Sequence, residues 1–350
     1  PTVDEANGKV YFKVSEGAYE LGVLNADETY QLINVNPGTT LSDHGYTGST
    51  TGLLYKGKYY FNGNNGTSGK ELFVSDGTPA GTTLVKDIWN GGNSDPKGFT
   101  IYKDELYFFA NVATGMQLWK TNGTAEGTVM VGEPYVGGNA DMAFLTAYNG
   151  KLYFSATEGV NGKEVWTYDG TTTTLLKDIN TTAATGSDPK GFKEVGGFLL
   201  FTANDGSGVK LWVTSGTRNG TVSAETLFNS SAAPLAVDYA EFVASGSNLY
   251  FTGNDALGDE FFMIDTKSIF AANQATNINK TANSDINSPT AYKGEVYFEA
   301  DNGSTIADEL YKIAADGTVS LVKDINTDPL DTSPNSDPKN FIEYNGLLYF

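Results

Sequence analysis

An all-β fold made of repeated four-stranded units, a β-propeller, is what this 350-residue sequence predicts, on three observations. A short apolar or aromatic run ending in Phe recurs at Phe12, Phe61, Phe108, Phe154, Phe201, Phe251, Phe298 and Phe350, at intervals of 46 to 52 residues. A second motif follows it, as ELFVSDGT (71–78), QLWKTNGT (117–124), EVWTYDGT (164–171) and KLWVTSGT (210–217), with a looser copy at Glu309 to Thr318. Gly, Thr, Tyr and Phe crowd every interval, and no apolar i, i+3, i+4, i+7 stripe persists, which removes a helical array. Two tandem β-sandwiches would supply the strands but not the period, whereas four-stranded blades of about 48 residues supply both.

Each strand of a repeat has its own signal, clearest in the fourth. AFLTAY (143–148) and KLYFSAT (151–157) flank Asn149-Gly150, and Asn-Gly between alternating apolar runs is a type I′ hairpin signal because both residues take φ > 0. The same position reads Asn7-Gly8, Lys56-Gly57, Gly196-Gly197, Lys293-Gly294 and Asn345-Gly346 elsewhere. EVWTYD (164–169) is the third strand, Gly170 turns the chain, and TTTLLKDI (172–179) returns as the outermost strand. Seven repeats, with markers from Phe12 to Phe298, account for 1–338 as a seven-bladed propeller. Residues 339–350 then form a surplus hairpin. It begins an eighth repeat (the alternative being eight blades) or docks on a neighbouring molecule through Asn340, Phe341, Tyr344, Leu347, Tyr349 and Phe350.

The third-strand motif, with the trailing GTTLVKDI (81–88), resembles the ELWxxDGT repeat of bacterial surface and secreted proteins. Repeats one (ELGVLNADE) and six (EFFMIDTKS) have drifted from it. The resemblance implies an extracellular or cell-surface repeat protein and brings no catalytic residues with it.

Composition narrows the chemistry. Forty-two acidic against 22 basic residues give a formal charge of −20, which argues against nucleic acid and anionic lipid as partners. No apolar run is long enough to span a bilayer. There is no Cys, hence no disulfide or thiolate site. His44 is the single His and Arg218 the single Arg, which leaves little for a triad or an anion clamp.

Aligned on the marker Phe, six repeats carry an Asp thirteen positions earlier: Asp95, Asp141, Asp188, Asp238, Asp285 and Asp337. These carboxylates read either as turn caps launching the first strand or as a Ca²⁺ site at one mouth of a central channel, Ca²⁺ being the one cofactor the sequence suggests. Lys97, Lys190 and Lys339, two residues after their Asp, are alternative counter-charges. Asp87, Asp178 and Asp324, in KDI, read as solvated caps of the outermost strand. Glu71, Glu164, Glu260 and Glu309 open third strands and are read as bonding across the loop before them. Trp119, Trp166 and Trp212 read as core. Trp89, outside the motif, is a candidate for stacking on a ligand.

The function these features suggest is a non-enzymatic extracellular structural or adhesive module, part of a filament or larger surface protein. Its partners would be copies of itself, other surface proteins or polysaccharide. A glycan- or Ca²⁺-binding propeller is the alternative, and a carbohydrate-active enzyme ranks third.

Overall fold

The computed structural model describes residues 2–15, 19–35, 52–182, 184–195, 197–224, 236–237, 243–246, 248–254, 259–265, 272–274, 278–279, 284–303, 308–325 and 336–350. The chain divides into two compact bodies, Pro1–Gly186 and Ser187–Phe350. Among the described residues there is no α-helix.

Every sheet of the first body is a four-stranded antiparallel meander. The four are Thr2–Asp4, Lys9–Ser15, Tyr19–Leu24 and Tyr30–Ile33; Gly52–Tyr55, Lys58–Asn64, Lys70–Ser75 and Thr83–Lys86; Lys97–Tyr102, Glu105–Val112, Gly115–Thr121 and Val129–Gly132; and Ala143–Tyr148, Lys151–Glu158, Gly162–Tyr168 and Thr173–Lys177. The second body repeats the plan. Lys190–Val195, Phe198–Asn204, Val209–Thr214 and Thr221–Ser223 form one sheet, and Asn287–Tyr292, Glu295–Ala300, Glu309–Ile313 and Val319–Lys323 another. Between them in sequence lies a five-stranded sheet in which Ala236–Val237 and Val243–Ser245 both pair with Asn248–Asn254, followed by Asp259–Asp265 and Ala272–Gln274. Ile342–Tyr344 and Leu347–Tyr349 close the chain as a two-stranded hairpin.

The two sequence motifs meet across the central strand pair. Phe108 lies opposite Trp119, Phe154 opposite Trp166, Phe201 opposite Trp212, and Phe298 opposite Tyr311. Both faces of a sheet are apolar there, so each sheet must cover its neighbour. Tyr60 and Leu72 of the second repeat share one core with Leu106, Phe108 and Trp119 of the third. Tyr107, Phe109 and Leu118 share the next with Leu152, Phe154 and Trp166. In the second body, Tyr250 and Phe261 pack with Val296, Phe298 and Tyr311. Consecutive sheets within each body are thus stacked face to face as the blades of a β-propeller are.

The hairpin turns follow the sequence. φ is positive at both central residues of Lys56-Gly57, Asn149-Gly150, Lys293-Gly294 and Asn345-Gly346. Lys103-Asp104 fills the same turn in the third repeat without any Gly, which the Asn-Gly pattern does not reveal. In the first repeat Asn7-Gly8 belongs to a longer turn closed by Asp4, whose carboxylate accepts from Asn7 N at 3.2 Å. A Tyr ahead of the turn ties one repeat to the next. Tyr55 Oη donates to Asp104 O (2.8 Å) and Tyr102 Oη to Gly150 O (2.7 Å). Tyr292 Oη donates to Gly346 O (2.5 Å), so the terminal hairpin meets the seventh repeat through the link that joins internal repeats.

The DGT segment is a turn with every part in use. Asp76 Oδ1 accepts from Thr78 N and Oγ1 at 2.9 and 2.7 Å, and Asp169 Oδ1 from Thr171 N and Oγ1 at 2.8 and 2.9 Å. Asn122 makes the same pair of bonds to Thr124. The hydroxyl residue before the turn pairs with a Thr seven positions on, as in Ser75–Thr82 and Thr121–Thr128. The Asp side chain mimics a backbone turn, and the Thr172 N–H (3.0 Å), with the N–H and hydroxyl of Thr171, holds the Asp169 carboxyl at about 2.

Candidate functional site

The connector from one fourth strand to the next first strand carries most of the repeated acidic groups. Asp95, Asp141, Asp188, Asp285 and Asp337 all occupy the left-handed region, at φ 43°, 40°, 49°, 44° and 42°. Three residues later the chain takes positive φ again, at Gly98, Phe144, Gly191, Ser288 and Asn340, where the first strand bulges in four repeats. Asp tolerates this region better than most residues, so the shared backbone conformation alone selects it. Lysines lie close to four of the carboxylates: Lys70 to Asp95 (4.0 Å), Lys163 to Asp141 (2.9 Å), Lys190 to Asp188 (2.7 Å) and Lys339 to Asp337 (3.3 Å). Asp238 and His44 lie outside the described residues.

The motif glutamates are fully buried and bond elsewhere than expected. Rather than crossing the loop before the third strand, each grips the connector. Glu71 accepts from Ile88 N (2.7 Å), Trp89 N (3.4 Å), Ser94 N (3.0 Å) and Ser94 Oγ (2.6 Å). Glu164 accepts from Ile179 N (3.0 Å), Glu260 from Ser284 Oγ (2.6 Å), and Glu309 from Ile325 N (3.0 Å) and Ser336 Oγ (2.7 Å). Burial pushes the Glu71 carboxyl upward against these donors. In the third repeat the grip is absent, and three substitutions coincide: Gln117 replaces Glu, Pro134 stands where Ile88 gives its N–H, and Ala140 replaces Ser. Both amide atoms of buried Gln117 lack a partner. Asp87, Asp178 and Asp324 are not the solvated caps expected, because one oxygen of each is shut off from solvent without a hydrogen-bond partner.

The seventh repeat departs from this plan. Glu299 follows its marker Phe298, where the second to sixth repeats carry Asn62, Phe109, Ser155, Thr202 and Thr252. Asp308 precedes Glu309 at the position where Lys70 and Lys163 face an acidic connector in the second and fourth repeats; the sixth repeat also carries an acid there, Asp259. The result is a cluster: one carboxylate oxygen from each of Glu299, Asp308 and Asp337 lies within 4.8 Å of the others. Glu299 is 1% exposed, and its Oε2 has no hydrogen-bond partner. Lys339 Nζ stands 3.3 Å from Asp337 Oδ1 and 3.9 Å from Glu299 Oε1. Burial raises the Glu299 carboxyl to about 7; Lys339 opposes this, and the carboxylates of Asp308 and Asp337 add to it.

Of this cluster the sequence reading singled out Asp337 and missed Glu299 and Asp308. The available signal was an acid, Glu299, after the marker Phe where the second to sixth repeats carry neutral residues, together with an acid, Asp308, where two repeats carry Lys. Trp89 is half-buried with its ring over Gly92, where an added Cβ would lie 2.4 Å from Cδ2, and Tyr135 covers Gly138 in the same way one repeat later. In the terminal hairpin Phe341 and Phe350 rings lie 5.4 Å apart and Tyr344 and Tyr349 rings 6.4 Å apart. Leu347, Tyr349 and Phe350 are about half-exposed, and Asn340 is a positive-φ residue of the connector.

No family model matches the chain, and no curated protein matches it. Solved structures do. A puromycin hydrolase aligns over 98% of this chain and 56% of its own, at 12% identity and a TM-score of 0.55. One of two prolyl endopeptidases studied together aligns over 90% and 48%, at 13% identity and 0.58. A puromycin-hydrolyzing peptidase of Mycobacterium tuberculosis aligns over 92% and 52%, at 12% identity and 0.54. The chain therefore spans about half the length of these three structures, and at such identity the likeness is one of fold. The expectation of a non-enzymatic structural or adhesive module is corrected on this ground: the matched structures are hydrolases, so a fold of this kind is no sign of a non-enzymatic role.

Proposed function

We propose that the chain is a seven-bladed β-propeller that works as the substrate-handling part of a peptide hydrolase. The observation that carries this reading is the alignment of nine-tenths or more of the chain with only about half of each hydrolase. Seven marker intervals support the blade number. A chain with one His and no Cys has few groups to activate a nucleophile, which favours a part in selecting and admitting the peptide. The charge of −20 favours cationic peptides, whose encounter with an acidic surface is accelerated and salt-dependent.

Fluorescence anisotropy with labelled ten-residue peptides of graded charge tests the reading. Lys-rich peptides should bind, with affinity falling as salt rises from 20 to 300 mM (concentrations of about one to several Debye-length regimes). Absence of binding by every peptide, or equal binding of Glu-rich ones, would refute it.

A further inference from the structure

We propose that Glu299, Asp308 and Asp337 form a divalent-cation site suited to Ca²⁺. The inference goes beyond the peptide-handling role and stands without it. Three segments converge on the site: Glu299 from the second strand of the seventh repeat, Asp308 from the start of its third, and Asp337 from the connector beyond its fourth. The connector is fixed there by backbone and side chain together. Ser336 N donates to Asp308 O (3.1 Å) and Ser336 Oγ to Glu309 Oε1 (2.7 Å). The positive φ of Asp337 then sets its carboxylate beside the other two.

Two independent features point to a ligand. The first is the repeat's own departure: Glu299 stands where the second to sixth repeats carry neutral residues, and it is joined by Asp308, at a position that is Lys in the second and fourth repeats. The second is Glu299 Oε2, a carboxyl oxygen withdrawn from water and given no hydrogen-bond donor. Burying such an oxygen is costly unless a cation or donor meets it. Among the described residues, Lys339 Nζ contacts Glu299 Oε1 and Asp337 Oδ1 and leaves Glu299 Oε2 unmet. Oxygens within 4.8 Å of one another lie close enough to share one divalent ion. Three carboxylates from three separate segments suit Ca²⁺, which accepts about six to eight oxygens in flexible geometry, better than Mg²⁺, which demands a near-ideal octahedron.

Isothermal titration of the full chain with CaCl₂ tests the site. Wild-type protein should show saturable binding with Kd on the order of 10⁻⁴ M, the range of modest carboxylate sites. Glu299→Gln and Asp308→Asn should each weaken it about tenfold or more, as expected on removing ligand charge. Asp188→Asn, at a connector already paired with Lys190, should leave it unchanged. Circular dichroism of each variant checks the fold; if Glu299→Gln fails to fold, Asp308→Asn decides, because that side chain is only half-buried. No saturable Ca²⁺ heat, or the same affinity in the folded site variants as in wild type, would overturn the proposal.

Discussion

Five aspartates share φ values between 40° and 49°, a region where a β-carbon crowds the following carbonyl at a cost of about 1–2 kcal/mol for most residues. At Asp188 the side chain also meets Lys190 at 2.7 Å, in a pair about half open to solvent and hence worth little. Backbone and charge can be separated by three substitutions. Asp188→Asn should stay near wild type in urea denaturation, and Asp188→Ala should fall below Asp188→Gly by about 1 kcal/mol. Equal losses in all three would assign the residue's role to charge instead. Glu71 offers a second test at this scale, through pH. Its carboxyl is raised by burial, so the unfolded chain releases this proton at a lower pH than the folded one does. The stability it contributes is complete below the ordinary glutamate range and is lost as pH rises through the raised folded value. The stability of wild type relative to Glu71→Gln should therefore decline from pH 4 to pH 7 (an interval chosen to begin near the ordinary value of about 4.3). A rise over that interval would mean that the four donors around the carboxylate outweigh its burial.

Among the elements, the grip between third strand and connector explains the loss of Glu in the third repeat. With Pro134 lacking an N–H and Ala140 lacking a hydroxyl, two kinds of donor that meet Glu71 have disappeared together, and an ionised side chain would be stranded. Gln117→Glu should thus destabilise the protein by about 2 kcal/mol, as an unsatisfied buried group does, and Ala140→Ser added to it should recover part of the loss. Urea denaturation of the single and double variants measures both. The strands and type I′ turns were legible in the sequence because period, alternation and Asn-Gly are local signals. Lys103-Asp104 escaped because that turn carries no Gly, and the Glu grip because its partners lie 15 to 27 residues away in connectors of unequal length. Asp337 was visible as part of a pattern. Glu299 and Asp308 were visible only as breaches of one, and a breach gains meaning when three separate segments are seen to converge.

At the scale of the whole molecule, 42 acidic and 22 basic residues leave a strong excess of like charge. The ion pairs that offset it, such as Lys56–Asp104 and Lys163–Asp141, have at least one substantially exposed partner and contribute little each. Folding brings the unpaired carboxylates closer together, so self-repulsion works against the compact state. Salt screens that repulsion, with a Debye length of about 10 Å at 0.1 M. Raising NaCl from 10 to 200 mM at pH 7.5 should therefore raise the thermal midpoint by about 2 °C, roughly 1–2 kcal/mol of stability (an order-of-magnitude reading of screened surface charge). The same titration near pH 4, where many carboxyls are protonated, should show a smaller shift. Binding of cationic peptides should move the opposite way, weakening over the salt range that stabilises the fold. A midpoint that falls with NaCl at pH 7.5 would mean that favourable ion pairs, rather than excess negative charge, dominate the electrostatics of this chain.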